Sequence, residues 1–110
     1  MKISVALCTL NGEKFLRTQL SSLVDQTLPP DEVIVCDEGS SDRTMLILEQ
    51  FKDRLPLQIH QNPTRLGTYQ NFQKAFNLCT GDYIFPADQD DFWDIQKIDN
   101  FSHFFCDQFK

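Results

Sequence analysis

Short apolar runs rich in β-branched residues alternate along this chain with segments whose apolar positions recur at helical spacing. That alternation predicts a parallel sheet built from βαβ units. The first run, Ile3 to Thr9, reads as a strand. After the turn "LNGE", Leu16, Leu20, Leu23 and Val24 fall on one helical face; Asn11 is placed to cap that helix, and Glu13 complements its dipole in the first turn. Two prolines in "QTLPPDE" end it. A second strand, "EVIVCD", closes on Asp37, and "EGSSDRT" leads into a second helix, with Ser41 as its expected cap and Ile47, Leu48 and Phe51 as its buried stripe. "LQIH" is a shorter third strand. In the third helix Phe72, Ala75, Phe76 and Cys79 recur on one face, Asn71 and Lys74 read as surface, and Gly81 stands where a left-handed C-terminal residue would be placed. The fourth strand, "DYIFPA", contains Pro86, which is expected at its last hydrogen-bonded position because proline donates nothing to a ladder. A closing helix from Ile95 to about Phe105 carries Ile95, Ile98, Phe101 and Phe105.

At 110 residues the chain suits one domain with a single core. With 16 acidic against 10 basic side chains, its net charge of -6 argues against nucleic acid as a partner, since no basic patch neutralises phosphates. No run approaches the length of a membrane span, and "MKISVALCTLNGEKF" turns polar too soon for a signal peptide, so a soluble cytoplasmic protein is expected. Cys8, Cys36, Cys79 and Cys106 are far apart and form no CxxC pair, which predicts reduced thiols packed as small apolar residues. His60 and His103 are isolated, one at a strand end and one on a helix surface.

In open α/β sheets ligands bind beyond the carboxyl ends of the strands, where strand order reverses. The candidates are therefore Thr9, Leu10 and Asn11 after the first strand, Asp37, Glu38 and Gly39 after the second, and Asp88 to Asp91 after the fourth. Right-handed crossovers put all three groups on one edge. Two carboxylates about 4 Å apart repel by about 4 kcal/mol at an effective dielectric near 20, and a divalent cation removes that cost. Magnesium or manganese takes one or two carboxylates and completes its shell with water and phosphate oxygens, so D-x-D at a strand end suits a metal-bridged nucleoside diphosphate. A solvated turn whose carboxylates cap the next helix, with Asp94 as the cap, fits the same spacing. No GxGxxG follows the first strand and no GxxxxGK[ST] occurs. A DxDx[TV] phosphotransferase is a distant alternative, because "DQDDF" lacks the final Thr or Val and lies on the fourth strand.

"ISVALCTLNGEKFL", "SLVDQTLPPDEVIVCDEGSSDRT", "NPTRLGTYQNFQKAFNLCTGDYIF" and "DQDDFW" together resemble the N-terminal part of family 2 glycosyltransferases, in the family's order and over nearly the full chain. The resemblance implies a Rossmann-like, three-layer GT-A half-domain with a mainly parallel sheet, in which residues 1–110 form a single donor-binding unit. It implies that Thr9, Asp37 and Glu38 surround the base and ribose of a nucleotide-diphosphate sugar, with a UDP-sugar the first expectation. It also implies that Asp88 reaches the ribose, and that Asp90, with Asp88, holds a diphosphate-bound Mn2+ or Mg2+. Arg65 lies in the loop that flanks the base, and Asn11 joins the donor-contact candidates at the end of the first strand.

Three departures from the family pattern carry consequences. Two aspartates are usual where this chain has Asp37 and Glu38, and the extra methylene moves the carboxylate by more than about 1 Å. Relatives often continue as "W-x-P-x-K", whereas "FWDIQKID" has Ile95 at the proline position. The family's general base and acceptor pocket follow the DxD, and Lys110 ends this chain first, so no catalytic base is assigned and the acceptor is unknown. Activity alone is open on this reading: a truncated, non-catalytic nucleotide-binding module is the alternative to the donor-binding part of an inverting enzyme of cell-surface polysaccharide synthesis. The same truncation predicts a partly uncovered aromatic face, Phe101, Phe104, Phe105 and Phe109, able to drive self-association, and a place at the inner face of the membrane through a missing region.

Overall fold

The computed structural model describes residues 1–108, with side chains through residue 103. Four strands and four helices alternate: β1 (Ile3–Thr9), α1 (Glu13–Val24), β2 (Glu32–Asp37), α2 (Thr44–Phe51), β3 (Leu57–Gln61), α3 (Thr68–Leu78), β4 (Tyr83–Asp88) and α4 (Lys97–Gln108). All pairings are parallel and the strand order is β3-β2-β1-β4. The chain thus winds outward from β1 to β3, then crosses to the other side of β1. The reversal falls between β1 and β4, which is where this topology opens a crevice.

Side-chain alternation divides the strands between two layers of helix. Ile3, Val5 and Leu7 of β1 and Val33 and Val35 of β2 face the main core, where they meet Leu16, Leu20 and Leu23 of α1, Ile47, Leu48 and Phe51 of α2, and Ile98 of α4. The opposite face is smaller: Ala6, Ile34 and Cys36 pack against Ala75 of α3. Full burial of each large aliphatic side chain contributes about 1.5–3 kcal/mol, so the first face supplies most of the hydrophobic stabilisation. Phe101 of α4 closes over β4, its ring 5.4 Å from Tyr83 and 5.0 Å from Phe85, both edge-on. No described helix is long and apolar enough to cross a membrane.

The predicted α/β architecture is borne out, with local corrections at the element ends. Asn11 does not cap α1: it adopts φ 47°, and Gly12 precedes the helix with no side-chain cap. Ser41 does not cap α2, because Asp42 Oδ1, nearer the helix, accepts from Thr44 N at 2.9 Å. Pro86 lies within β4, opposite Ala6, and is tolerated because β4 is an edge strand among the described residues. Gly81 is not left-handed; a side chain there would instead press on the Ser4 backbone, 2.8 Å from its nitrogen. The last helix starts at Lys97, so Ile95 stays outside it, half exposed, and Asp94 Oδ1 accepts from Gln96 N at 2.9 Å. Cys36 is buried and Cys8 and Cys79 half-buried, all as free thiols. The side chains of Phe104, Phe105, Cys106 and Phe109 lie outside the described residues.

Candidate functional site

The carboxyl ends of β1, β2 and β4 lie level, with Thr9 opposite Asp37 and Cys8 opposite Asp88 in the ladders. A cleft of about 500 Å³ opens above them, lined by Thr9 and Leu10 from β1 and its loop, Glu38 just after β2, Arg65 and Gly67 from the loop before α3, Asn71 and Phe72 from α3, and Asp88 to Asp90 from the end of β4 and the turn after it. Thr9, Glu38, Arg65, Asp88 and Asp90 were expected there, and the fold brings all five to the lining of one cleft.

Asp37 and Asn11 do not line the cleft. Asp37 is fully buried; its Oδ1 accepts from Thr9 Oγ1 at 2.7 Å and Ser40 Oγ at 2.6 Å, and its Oδ2 from the amides of Gly39 and Ser40 at 3.0 and 2.8 Å. Four donors saturate the carboxylate, so Asp37 fixes Thr9 and the turn after β2. Asn11 uses its left-handed backbone to reach the same turn: its N–H donates to Ser40 Oγ and its Oδ1 accepts from Ser41 N at 2.8 Å. Asparagine tolerates this conformation better than most residues.

Glu38 is also enclosed. Its carboxylate accepts from Asn62 Nδ2 at 2.7 Å and from the amides of Leu66 and Gly67 at about 3.0 Å. Burial would raise its pKa, but the Leu66, Asn62 and Gly67 donors and the nearby Arg65 charge outweigh it and hold the carboxyl below its ordinary value. The longer side chain at this position therefore has a visible use, since it reaches across to the loop that carries Arg65.

Asn71 and Lys74, read from sequence as helix surface, belong to this network instead. Asn71 is buried; its Nδ2 donates to Cys36 O at 2.9 Å and its Oδ1 accepts from Asn62, while Lys74 Nζ donates to Asn62 Oδ1 at 2.6 Å. The available signal was Asn71 sharing a helical face with Ala75: a polar residue on an apolar stripe needs a buried partner.

Asp88, Asp90 and Asp91 each offer an oxygen within 4.8 Å of the others. Burial and then the charges of Asp91 and Asp90 raise the Asp88 pKa, so the cluster is under electrostatic stress that a cation would relieve. An all-oxygen anionic set of this size fits a hard divalent ion such as Mg2+ or Mn2+, and Asp91 extends the expected pair to three. Cys8 lies opposite Asp88 in the ladder, and burial first, then Cys36, Asp88 and Glu38, push its thiol up to about 12.

The sequence profile described as glycosyl transferase family 2 matches residues 4–109. The chain belongs to that family. It is 34% identical over 95 residues to the poly(ribitol-phosphate) beta-N-acetylglucosaminyltransferase TarS of Staphylococcus aureus (strain Mu50), covering 84% of this chain and 17% of that protein. The crystal structure of S. aureus TarS 1–349 in complex with UDP-GlcNAc superposes with TM-score 0.92 at 30% identity, over 97% of this chain and 32% of that one. The mannosyltransferase PcManGT of Pyrobaculum calidifontis, in complex with GDP-Man and Mn2+, superposes with TM-score 0.76 at 25% identity, over 84% of this chain and 28% of that one. The four-stranded parallel sheet is thus the Rossmann-like part of a GT-A fold, and this chain spans about a third or less of each of these family 2 or GT-A proteins.

Proposed function

We propose that this chain is the donor-binding part of an inverting glycosyltransferase, taking a nucleoside diphosphate sugar, in the first instance a UDP-sugar, through a divalent cation. The carrying observation is the convergence of Thr9, Glu38, Arg65, Asp88 and Asp90 on one cleft at the sheet's reversal point. The nucleoside lies toward Thr9, Glu38 and Arg65, and the diphosphate toward the aspartates. Asp90 is the principal metal ligand, with Asp88 and Asp91 beside it. A divalent cation held by these carboxylates would supply Lewis-acid charge neutralisation at the diphosphate leaving group. The protein's own contribution is to orient the donor and to hold three carboxylates close enough to need the ion. The complex of PcManGT with GDP-Man and Mn2+ supports the metal, and that of TarS with UDP-GlcNAc supports the uridine nucleotide.

Calorimetry with UDP, GDP, dTDP and CDP, each with Mn2+, with Mg2+ and with chelator, tests this on the native chain and on Asp90→Ala. Metal-dependent binding of one nucleotide, lost in the variant, is expected. Binding that ignores both base and metal would overturn the reading. Nucleotide binding without donor hydrolysis or sugar transfer would favour the alternative, a nucleotide-binding module without catalysis of its own.

A further inference from the structure

Helix α1 packs on the opposite face of the sheet from α3, yet it and the turn that follows carry an unexpected pair of buried amides. Gln19 and Ser22 are buried on its inner face, among leucines that make the core, and Gln26, just past the helix end, is buried as well. A buried primary amide is costly unless its donors and acceptor are used. Gln19 Nε2 donates to the Asp88 carbonyl at 2.8 Å, and its Oε1 accepts from Ser22 Oγ at 2.9 Å. Beyond the end of α1, Gln26 Nε2 donates to the Asp94 carbonyl at 2.6 Å, and its Oε1 accepts from Ile98 N at 3.2 Å. The two glutamines therefore grip the backbone at both ends of the acidic segment.

A third amide fixes its middle. Gln89, between Asp88 and Asp90, accepts from Leu10 N at 2.8 Å and donates to Leu10 O at 3.0 Å, as a neighbouring strand would. Within the segment Asp91 N donates to Asp88 O at 3.1 Å, and Asp91 Oδ2 accepts from Asp88 N at 3.0 Å. The Asp88 carbonyl thus joins the turn's own bond to the anchor from α1.

We infer that Gln19 and Gln26 are positioning residues that set the spacing of Asp88, Asp90 and Asp91 for a metal-bound diphosphate. The inference rests on the donor-site reading above. Neither glutamine touches the cleft; each acts through the backbone that carries the ligands. Leucine or methionine would fill the same volume in the core, so the amides are explained by the carbonyls they hold.

The test uses Gln19→Met and Gln26→Met, which keep length and remove the hydrogen bonds. UDP affinity is measured by calorimetry in Mn2+ and in chelator. The ratio of the two affinities is expected to fall by about tenfold or more, while metal-free affinity stays within about twofold, because the Thr9 and Glu38 wall is untouched. A merely structural role would lower the melting temperature and leave that ratio unchanged, and this result overturns the inference. Should Gln19→Met not fold, Gln26→Met tests the same claim from the other end. If the native chain shows no metal-dependent affinity, the donor-site reading fails on its own, and hydrogen exchange decides the anchoring: faster exchange at residues 89–94, with β1 and β2 unchanged, supports it, and unchanged exchange overturns it.

Discussion

Glu38 shows how one methylene is used. Its carboxylate accepts from Asn62 and from the Leu66 and Gly67 amides, so it ties β2 to the loop bearing Arg65. Glu38→Gln replaces one acceptor by a donor facing backbone N–H groups and is expected to cost about 1–3 kcal/mol in urea unfolding. Glu38→Asp is too short for the same contacts and is expected to speed amide exchange at Leu66 and Gly67. The pH dependence follows from the lowered pKa. The folded state holds the proton less tightly than the unfolded one, so the stabilisation is fully present above the unfolded value of about 4.5 and is lost as pH falls through the folded value below it. The stability gap between native protein and Glu38→Gln should therefore be constant from neutral pH down to about 5 and narrow below that. Sequence identified Glu38 as a candidate from its place after β2, but not its partners, because Asn62 and the two amides meet it only once α3 packs on the sheet. Asp37 shows the same limit in reverse: an acidic residue at a strand end was legible, and its enclosure by the Ser40 turn was not.

Among the elements, strands and buried helical stripes were legible because period is a local property of the chain. Leu16, Leu20 and Leu23, and Ile47, Leu48 and Phe51, face the core as their spacing predicts. Boundaries were less so, since Asn11, Ser41 and Gly81 each had the residue type of a cap and found other partners in the tertiary fold. Two glycines separate local from tertiary requirements. Gly67, before α3, has φ 87° and ψ 160°, with nothing within 4 Å of where a Cβ would stand. Gly67→Ala should cost of order 1–3 kcal/mol from backbone strain alone. Gly81 has no positive φ, but an added Cβ would lie 2.8 Å from Ser4 N and 3.0 Å from Lys2 O, both backbone atoms that cannot swing aside. Gly81→Ala should therefore loosen the start of β1, seen as faster exchange at Ser4, whereas Gly67→Ala should leave β1 unchanged. Urea denaturation combined with residue-resolved exchange distinguishes the two causes.

At the scale of the whole molecule, the order β3-β2-β1-β4 decides where charge accumulates. Reversal between β1 and β4 leaves a gap at the strand ends, and the sequence spends three aspartates of an already acidic chain on its rim. Without a counter-ion the Asp88 carboxylate is partly desolvated and crowded by Asp91 and Asp90, which raises its pKa and makes its charge a cost to the fold. Removing one should then have opposite effects in two media. In chelator, Asp88→Asn is expected to melt no lower than the native chain, because it takes a charge out of the crowd. With Mn2+ and UDP at a hundredfold excess over Kd, the native chain should gain about 2.7 kcal/mol, and Asp88→Asn and Asp90→Ala should gain much less. Thermal unfolding of the three proteins in both media measures this crossing. Equal loss in both media would mean that the aspartates serve the turn itself, as helix caps do; a loss confined to Mn2+ and UDP ties them to the ligand.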